Sequence, residues 1–160
     1  MDVAPDGRSD FDFLHGRWRI RNRRLIRRLQ GCTDWEEFAA THECYPVIGG
    51  FGNVDHFHAT FTDGKPLEGM SVRIFDLATQ RWSIYWADNR AGRLLPPVVG
   101  RIVDGRGDFF GDDVCDGIPV RVVFHWSGIT PASACWEQEF SADGGTTWES
   151  NWIMEMTRVE

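Results

Sequence analysis

Four side chains that can bind a transition metal occur as two closely spaced pairs. His42 and Cys44 form the first pair, and His56 and His58 form the second. If residues 46–51 turn a hairpin, position 42 lies across from position 56 or nearby, and residues two apart on a strand point to the same side. Imidazole and thiolate are good ligands for zinc and other soft transition metals. The spacing therefore predicts a metal site, provided that the strand register does not slip by one residue.

The same residues also fit a polar patch on one face of a sheet, with Cys44 packed as a small hydrophobic group. The chain has four cysteines and no CxxC pair, which favours free thiols in a reducing compartment. His125 lies on the polar face of an apolar strand and is a candidate axial ligand for haem, with a hydrogen-bonded surface role as the alternative. We therefore expect no obligatory cofactor, and leave zinc at the cluster and haem at His125 open.

Aromatic residues are abundant, with 8 Trp and 11 Phe in 160 residues. Rings in that number fill a wide β interior or line an apolar cavity. A cavity walled by aromatic side chains, with a few polar groups, is the usual form of a small-molecule site. The predicted ligand-binding residues are Tyr85, Trp86, Asn89, Arg90, Trp126 and Trp152, with Tyr85, Asn89 and Arg90 as the polar groups at the mouth. The alternative is a dry, solidly packed core.

The elements that position these residues are short strands separated by turns. Pairs such as Asp63-Gly64, Asp104-Gly105 and Asp116-Gly117 recur along the chain and are typical of turns. The stretches between them alternate apolar and polar residues, the mark of a half-buried strand. Strands are predicted at 15–28, 35–47, 51–61, 67–76, 81–88, 97–104, 107–114, 118–127, 133–141 and 147–158. A meander of this length leaves unpaired edges unless the sheet closes into a barrel.

Composition narrows the class of protein. The 160 residues fit one domain over 1–160. The net charge of −7 argues against general nucleic-acid binding. We interpret the arginine-rich stretch 17–28 as a basic outer strand face that is salt-bridged to the acidic remainder, with an acidic partner or ligand carboxylate as the alternative.

The N-terminus begins acidic and lacks an apolar segment, so we expect no signal peptide and a cytoplasmic protein. No apolar run approaches the roughly 18 residues that span a bilayer.

The start of the first strand resembles that of calycin-superfamily barrels, the lipocalins and their relatives. It reads FDFLHGRW and contains Gly16-Arg17-Trp18. The resemblance implies that Trp18, after Gly16, closes the floor of the barrel and stacks on Arg158 of the last strand. With GMSVRIFDLATQRWSIYWADNR and FSADGGTTWESNWIMEMTR, nearly the whole chain is similar to bacterial calycin-like proteins of unknown function. The Gly-rich GxWxGxG start of haem-binding nitrobindin-type barrels is missing from the sequence.

The resemblance and the strand pattern together imply an all-β, antiparallel, roughly ten-stranded lipocalin-like (calycin) β-barrel with a short N-terminal helical turn. A fold that hosts many functions does not decide one, and the sequence has no GxSxG elbow, P-loop or dinucleotide fingerprint. The leading expectation is a barrel that binds a small, mainly apolar molecule. The alternatives are an enzyme acting on such a ligand through His42, His56 and His58, and a structural, homodimerising module with a solid core.

Overall fold

Ten antiparallel strands close into one barrel in which each strand pairs with its neighbours in sequence and β1 pairs with β10. The structure is a computed structural model that describes residues 6–159. The strands are β1 (Gly16–Leu25), β2 (Trp35–Val47), β3 (Gly52–Thr60), β4 (Pro66–Asp76), β5 (Arg81–Asp88), β6 (Val98–Val103), β7 (Arg106–Cys115), β8 (Ile118–Ser127), β9 (Ser133–Ser141) and β10 (Glu149–Arg158). Short 3-10 turns lie at Gly7–Ser9, Asp12–Leu14 and Ile48–Gly50. The expected all-β closed barrel with an N-terminal helical turn is confirmed.

The alternation of apolar and polar residues sets which side of each strand faces the interior. In β1, Trp18 and Ile20 are buried, whereas Arg19 and Arg21 are exposed. The exposed arginines of this strand meet glutamates of β2, as in the pair between Arg21 and Glu37, at 3.7 Å. Such exposed ion pairs stabilise a fold by at most about 1 kcal/mol each. Arg17, Arg19, Arg21 and Arg23 therefore form the predicted basic outer face of β1, whereas the side chain of Arg24 is only 12% exposed and residues 27 and 28 lie beyond the strand.

The two ends of the barrel differ. One end, which we call the floor, carries the N-terminal turns and the connections 48–51, 77–80, 104–105 and 128–132. The other end, which we call the mouth, carries the connections 26–34, 61–65, 89–97, 116–117 and 142–148. Phe11 and Leu14 are buried under the floor, and Trp82 Nε1 donates to the Gly7 carbonyl at 2.7 Å. The N-terminal segment thus closes the floor of the barrel.

The predicted pairing of Trp18 with Arg158 is confirmed. The Arg158 guanidinium lies 4.3 Å from the centroid of the Trp18 ring. The same guanidinium donates to the His15 carbonyl at 2.6 Å and to the Pro131 carbonyl at 2.8 Å. Gly16 has φ of 114°, a conformation that glycine adopts without a side-chain clash. The Arg158 fork therefore ties the end of β10 to the residues before β1 and to the connection 128–132 at the floor. In residues 6–159, no helix is long and apolar enough to cross a membrane.

Candidate functional site

A cavity of about 110 Å³ lies inside the barrel between the floor and the mouth. Its wall is mainly apolar and combines aliphatic side chains with the rings of Phe57, Trp86, Phe124, Trp126, Trp136 and Trp152. Several of these rings meet edge to face, as Trp136 and Trp152 do at a centroid distance of 6.0 Å. Leu95 and the exposed Pro96, from the connection 89–97, also line the cavity, which places its opening at the mouth. The barrel interior is therefore hollow, and the alternative of a solid core is wrong.

Towards the floor, the cavity meets a group of buried polar side chains on β2, β3 and β4. We call His42, Asn53, Asp55, Ser71 and Arg73 the interior polar cluster. The Asp55 carboxylate accepts from Arg73 Nη1 at 2.7 Å and from His42 Nε2 at 2.9 Å. The backbone N–H of Ser71 donates to the other carboxylate oxygen at 2.8 Å. Asp55 is thus the centre of the cluster.

The strand register explains why these residues meet. Asp55 pairs with Ser71 across β3 and β4, and Arg73 pairs with Asn53 two residues further along. Both pairs face the interior, where Arg73 is 4% and Asp55 is 1% exposed. A buried charge is tolerated only when it is paired and hydrogen-bonded. The Arg73 guanidinium meets both needs, because it also donates to Asn53 Oδ1 at 2.9 Å.

The electrostatics of the cluster fix the charge of Asp55. Burial raises the pKa of Asp55, but Arg73, His42 and the Ser71 N–H together hold that pKa well below its ordinary value. The Asp55 carboxylate is therefore ionised and can only accept hydrogen bonds. It follows that His42 Nε2, which faces this carboxylate, carries a proton and donates to it.

Three cavity-lining residues have a buried polar atom with no hydrogen-bond partner in the protein. These atoms are His42 Nδ1, Arg73 Nε and Trp126 Nε1. Nearly all buried polar atoms in proteins are hydrogen-bonded, and a missing bond costs about 1–3 kcal/mol. Together they leave two N–H donors and one imidazole nitrogen available to a molecule in the cavity. Of the three histidines considered for acid–base chemistry, His42 alone lines this cavity.

The six predicted ligand-binding residues divide into two groups. Trp86, Trp126 and Trp152 line the cavity. Tyr85 lies between Ile84 and Trp86, which both line the cavity, so its side chain faces outward and its predicted place at the mouth is wrong. The difference arises because successive side chains of β5 point alternately into and out of the barrel, so Trp86 faces the cavity and Tyr85 does not.

Asn89 and Arg90 lie at the mouth, but their side chains contact the barrel wall and not the cavity. Asn89 Oδ1 accepts from the Glu68 N–H at 3.1 Å, and its amide donates to the Pro66 carbonyl at 3.3 Å. The Arg90 guanidinium lies 4.1 Å from the centroid of the Phe61 ring. Both side chains are outside the cavity lining, because the connection 89–97 folds them against β4 and Phe61.

The predicted metal site of His42, Cys44, His56 and His58 is wrong. His42 pairs with Phe57, so the two strands are offset by one residue from the expected register. His42 and Cys44 are buried, whereas His56 and His58 are exposed. Burial also raises the pKa of the Cys44 thiol to about 12, which keeps it protonated. In the part of the chain that the structure describes, no three His, Cys, Asp or Glu side chains are grouped to hold a metal ion.

His125 does not reach the interior either. Its side chain lies on the outer face of β8, where Nδ1 is 2.6 Å from Asp108 Oδ1 and Nε2 is 2.8 Å from Glu139 Oε2. Both ring nitrogens are engaged by carboxylates. The candidate role of His125 as an axial haem ligand is therefore wrong, and the hydrogen-bonded surface role is confirmed.

Sequence reasoning missed Asp55, Ser71 and Arg73. A signal for them was present, because Phe57 and Ala59 mark the apolar, inward side of β3 and residue 55 shares that side. The same alternation along β4 turns residues 71 and 73 inward. A charged residue at an inward position of a strand predicts a buried partner of opposite charge, and Asp55 and Arg73 meet that condition.

No family model matches this chain, and no curated protein matches it. Its structure is similar to that of an S-type phycobiliprotein lyase from Guillardia theta, with a TM-score of 0.64 and 11% identity over 94% of this chain and 90% of that one. A de novo designed fluorescence-activating β-barrel gives a TM-score of 0.50 at 15% identity, over 97% and 99% of the two chains. The redesigned barrel mFAP0 bound to DFHBI gives 0.51 at 12%, over 91% and 99%. At these identities the likeness establishes the fold alone, a closed ten-stranded antiparallel barrel.

Proposed function

We propose that this protein binds a small, mainly apolar aromatic molecule in its interior cavity. The observation that carries the proposal is the cavity itself, which combines an aromatic wall with three unpartnered polar atoms at its base. Moving apolar surface out of water contributes about 25 cal/mol per Å², and a few polar groups then orient the ligand. The volume of about 110 Å³ is of the scale of engineered apolar cavities that hold one benzene ring.

The structural neighbours support the proposal at the level of architecture. The redesigned barrel mFAP0 is bound to DFHBI. A barrel of this kind therefore has room for a small ligand when its inward side chains leave space. In this chain, that space lies between Trp86, Trp126 and Trp152.

The test is a titration with para-nitroanisole, a single-ring apolar molecule that quenches tryptophan fluorescence, with DFHBI as a second probe. We expect saturable quenching that Val122→Phe weakens, because residue 122 lines the cavity and the added ring fills it. A penalty of roughly 1–3 kcal/mol, the usual cost of overpacking, corresponds to a loss of about 5- to 150-fold in affinity.

The matched control is Val114→Phe, the same substitution at an outward position that is 59% exposed. This variant is expected to bind para-nitroanisole as the unmodified protein does. Linear, unsaturable quenching by both probes would overturn the proposal, as would equal affinity in Val122→Phe and Val114→Phe.

A further inference from the structure

His42 and Asp55 have the geometry of a proton acceptor oriented by a carboxylate. The Nε2–H of His42 is directed at Asp55 Oδ2, at 2.9 Å. Nδ1, on the other side of the ring, is buried and has no partner in the protein. Because His42 lines the cavity, Nδ1 is the ring atom left for a bound molecule. A carboxylate that fixes one imidazole nitrogen and leaves the other as a base is a recurrent arrangement in acid–base chemistry.

The surroundings of His42 hold this arrangement in place. On β3 and β4, the facing charged groups are Asp55 and Arg73, which are paired at 2.7 Å. On β2 itself the nearest inward titratable group is the neutral thiol of Cys44, and on β1 the residue opposite is Trp18. The paired charges of Arg73 and Asp55 cancel each other. A proton gained at His42 Nδ1 therefore adds one uncompensated positive charge, which favours an anion beside it.

Two N–H groups of the cavity lining can donate hydrogen bonds to that anion. Trp126 Nε1–H and Arg73 Nε–H are the other unpartnered atoms of the cavity lining. The Arg73 guanidinium lies 5.9 Å from the centroid of the Trp126 ring, so both donors belong to one end of the cavity. Donors fixed in a buried site stabilise a developing oxyanion without the reorganisation that water needs.

We propose that the ligand carries an acidic hydroxyl group, a phenol or an enol, and that His42 takes the proton of this hydroxyl when the ligand binds. The O–H bond breaks with its electron pair left on oxygen, and an N–H bond forms at His42 Nδ1. The resulting oxyanion accepts from Trp126 Nε1–H and Arg73 Nε–H, while Asp55 stabilises the imidazolium. This inference rests on the proposed function and names the chemical class of its ligand.

The charge balance favours a hydroxyl over a carboxylic acid. A carboxylate arrives already charged, must be desolvated in an aromatic cavity, and has no proton to give to His42. A phenol or enol enters neutral, and transfer of its proton leaves the total charge of the buried site unchanged. Cluster and ligand together then form two oppositely charged pairs, Arg73 with Asp55 and His42 with the oxyanion.

The experiment uses para-nitrophenol, whose phenolate absorbs at longer wavelength than the phenol, and measures the apparent pKa of the protein-bound dye by absorbance. We expect this pKa to lie at least about one unit, a tenfold change in equilibrium, below that of the free dye. In His42→Gln the side-chain amide can still donate to Asp55 but cannot take the proton, so the bound dye should titrate at or above the pKa of the free dye. His58→Gln, the same change on the exposed face, should leave the shift intact.

para-Nitroanisole separates this inference from the proposed function, because it has no proton to lose. If it binds while bound para-nitrophenol titrates like the free dye, or if His42→Gln keeps the downward shift, the proton transfer is overturned and the binding function stands. Failure of both molecules to bind would overturn both. If His42→Gln does not fold, Trp126→Phe replaces it. That variant removes one oxyanion donor, and the apparent pKa of the bound dye should move upward. An unchanged value would overturn the inference.

Discussion

The imidazole Nε2 of His42 lies 2.9 Å from the Asp55 carboxylate inside the barrel, and both side chains are almost fully buried. This contact joins β2 to β3, and the Arg73 guanidinium extends it to β4. The result is a charged network in an interior where most buried side chains are aromatic or aliphatic. Networks of this kind stabilise the fold strongly when every polar group has a hydrogen-bond partner, and they destabilise it strongly when one partner is removed. The first two predictions follow from that asymmetry.

Asp55→Asn is expected to lower the free energy of unfolding by about 3–5 kcal/mol, because it leaves the buried Arg73 cation without its counter-ion. Urea denaturation measures the change. The control is Glu43→Gln, which removes an exposed carboxylate 3.8 Å from Arg17 and should cost at most about 1 kcal/mol. Equal losses in the two variants would show that Asp55 does not compensate a buried charge.

Stability should also fall in acid because of Asp55. Its pKa is depressed in the folded barrel relative to the ordinary value of 3.8. The carboxylate therefore contributes stability that is present above pH 3.8 and is lost as the pH falls through the folded-state pKa. The free energy of unfolding of the unmodified protein, measured from neutral pH downward, should drop more steeply than that of Asp55→Asn. Parallel curves for the two proteins would contradict the prediction.

His125 should give the opposite pH dependence. Burial opposes its protonation, but hydrogen bonds to Asp108 and Glu139 raise its pKa above the ordinary value of 6.5. A raised pKa contributes stability that is fully present below pH 6.5 and is lost as the pH rises through the folded-state pKa. The stability difference between the unmodified protein and His125→Gln should shrink as the pH increases. His58→Gln serves as the exposed control, and an imidazole titration of His125 below 6.5 by NMR would refute the assignment.

Arg158→Lys should destabilise the floor of the barrel. Lysine keeps the charge but lacks the planar fork that stacks on Trp18 and donates to the His15 and Pro131 carbonyls. Loss of charged hydrogen bonds of this kind costs about 1.5–3 kcal/mol each when no new partner is found. Thermal unfolding measures the effect, and Arg121→Lys, on the outer face near Asp112, is the matched control. A melting temperature equal to that of Arg121→Lys would exclude a structural role for the fork.

Much of the fold was predictable because it depends on local patterns. Alternation in β8 predicts that Val122 and Trp126 share one face, and both line the cavity. Turn pairs such as Asp104-Gly105 mark the hairpins, where both residues have positive φ. The closed barrel follows because a long meander must hide its edges. Trp18 and Arg158 were paired by resemblance, and their positions near the two ends of the barrel meander bring them together.

The candidate site depended on features that no single segment contains. Side chains alternate with a period of two, so a shift of one residue between β2 and β3 exchanges the residues that face each other inside. The turn at Ile48–Gly50, where Gly49 has φ of 66°, sets that register and brings Asp55 rather than His56 to His42.

By itself, the sequence determined the strands, their inward faces and the closure of the sheet. Propensity and burial act residue by residue, so a local pattern is enough to specify them. The tertiary structure alone decided that His42, Asp55 and Arg73 form one charged network, and that Trp126 lines the cavity into which this network opens. The physical reason is that pairing of buried charges and the volume left between side chains are properties of several strands packed together.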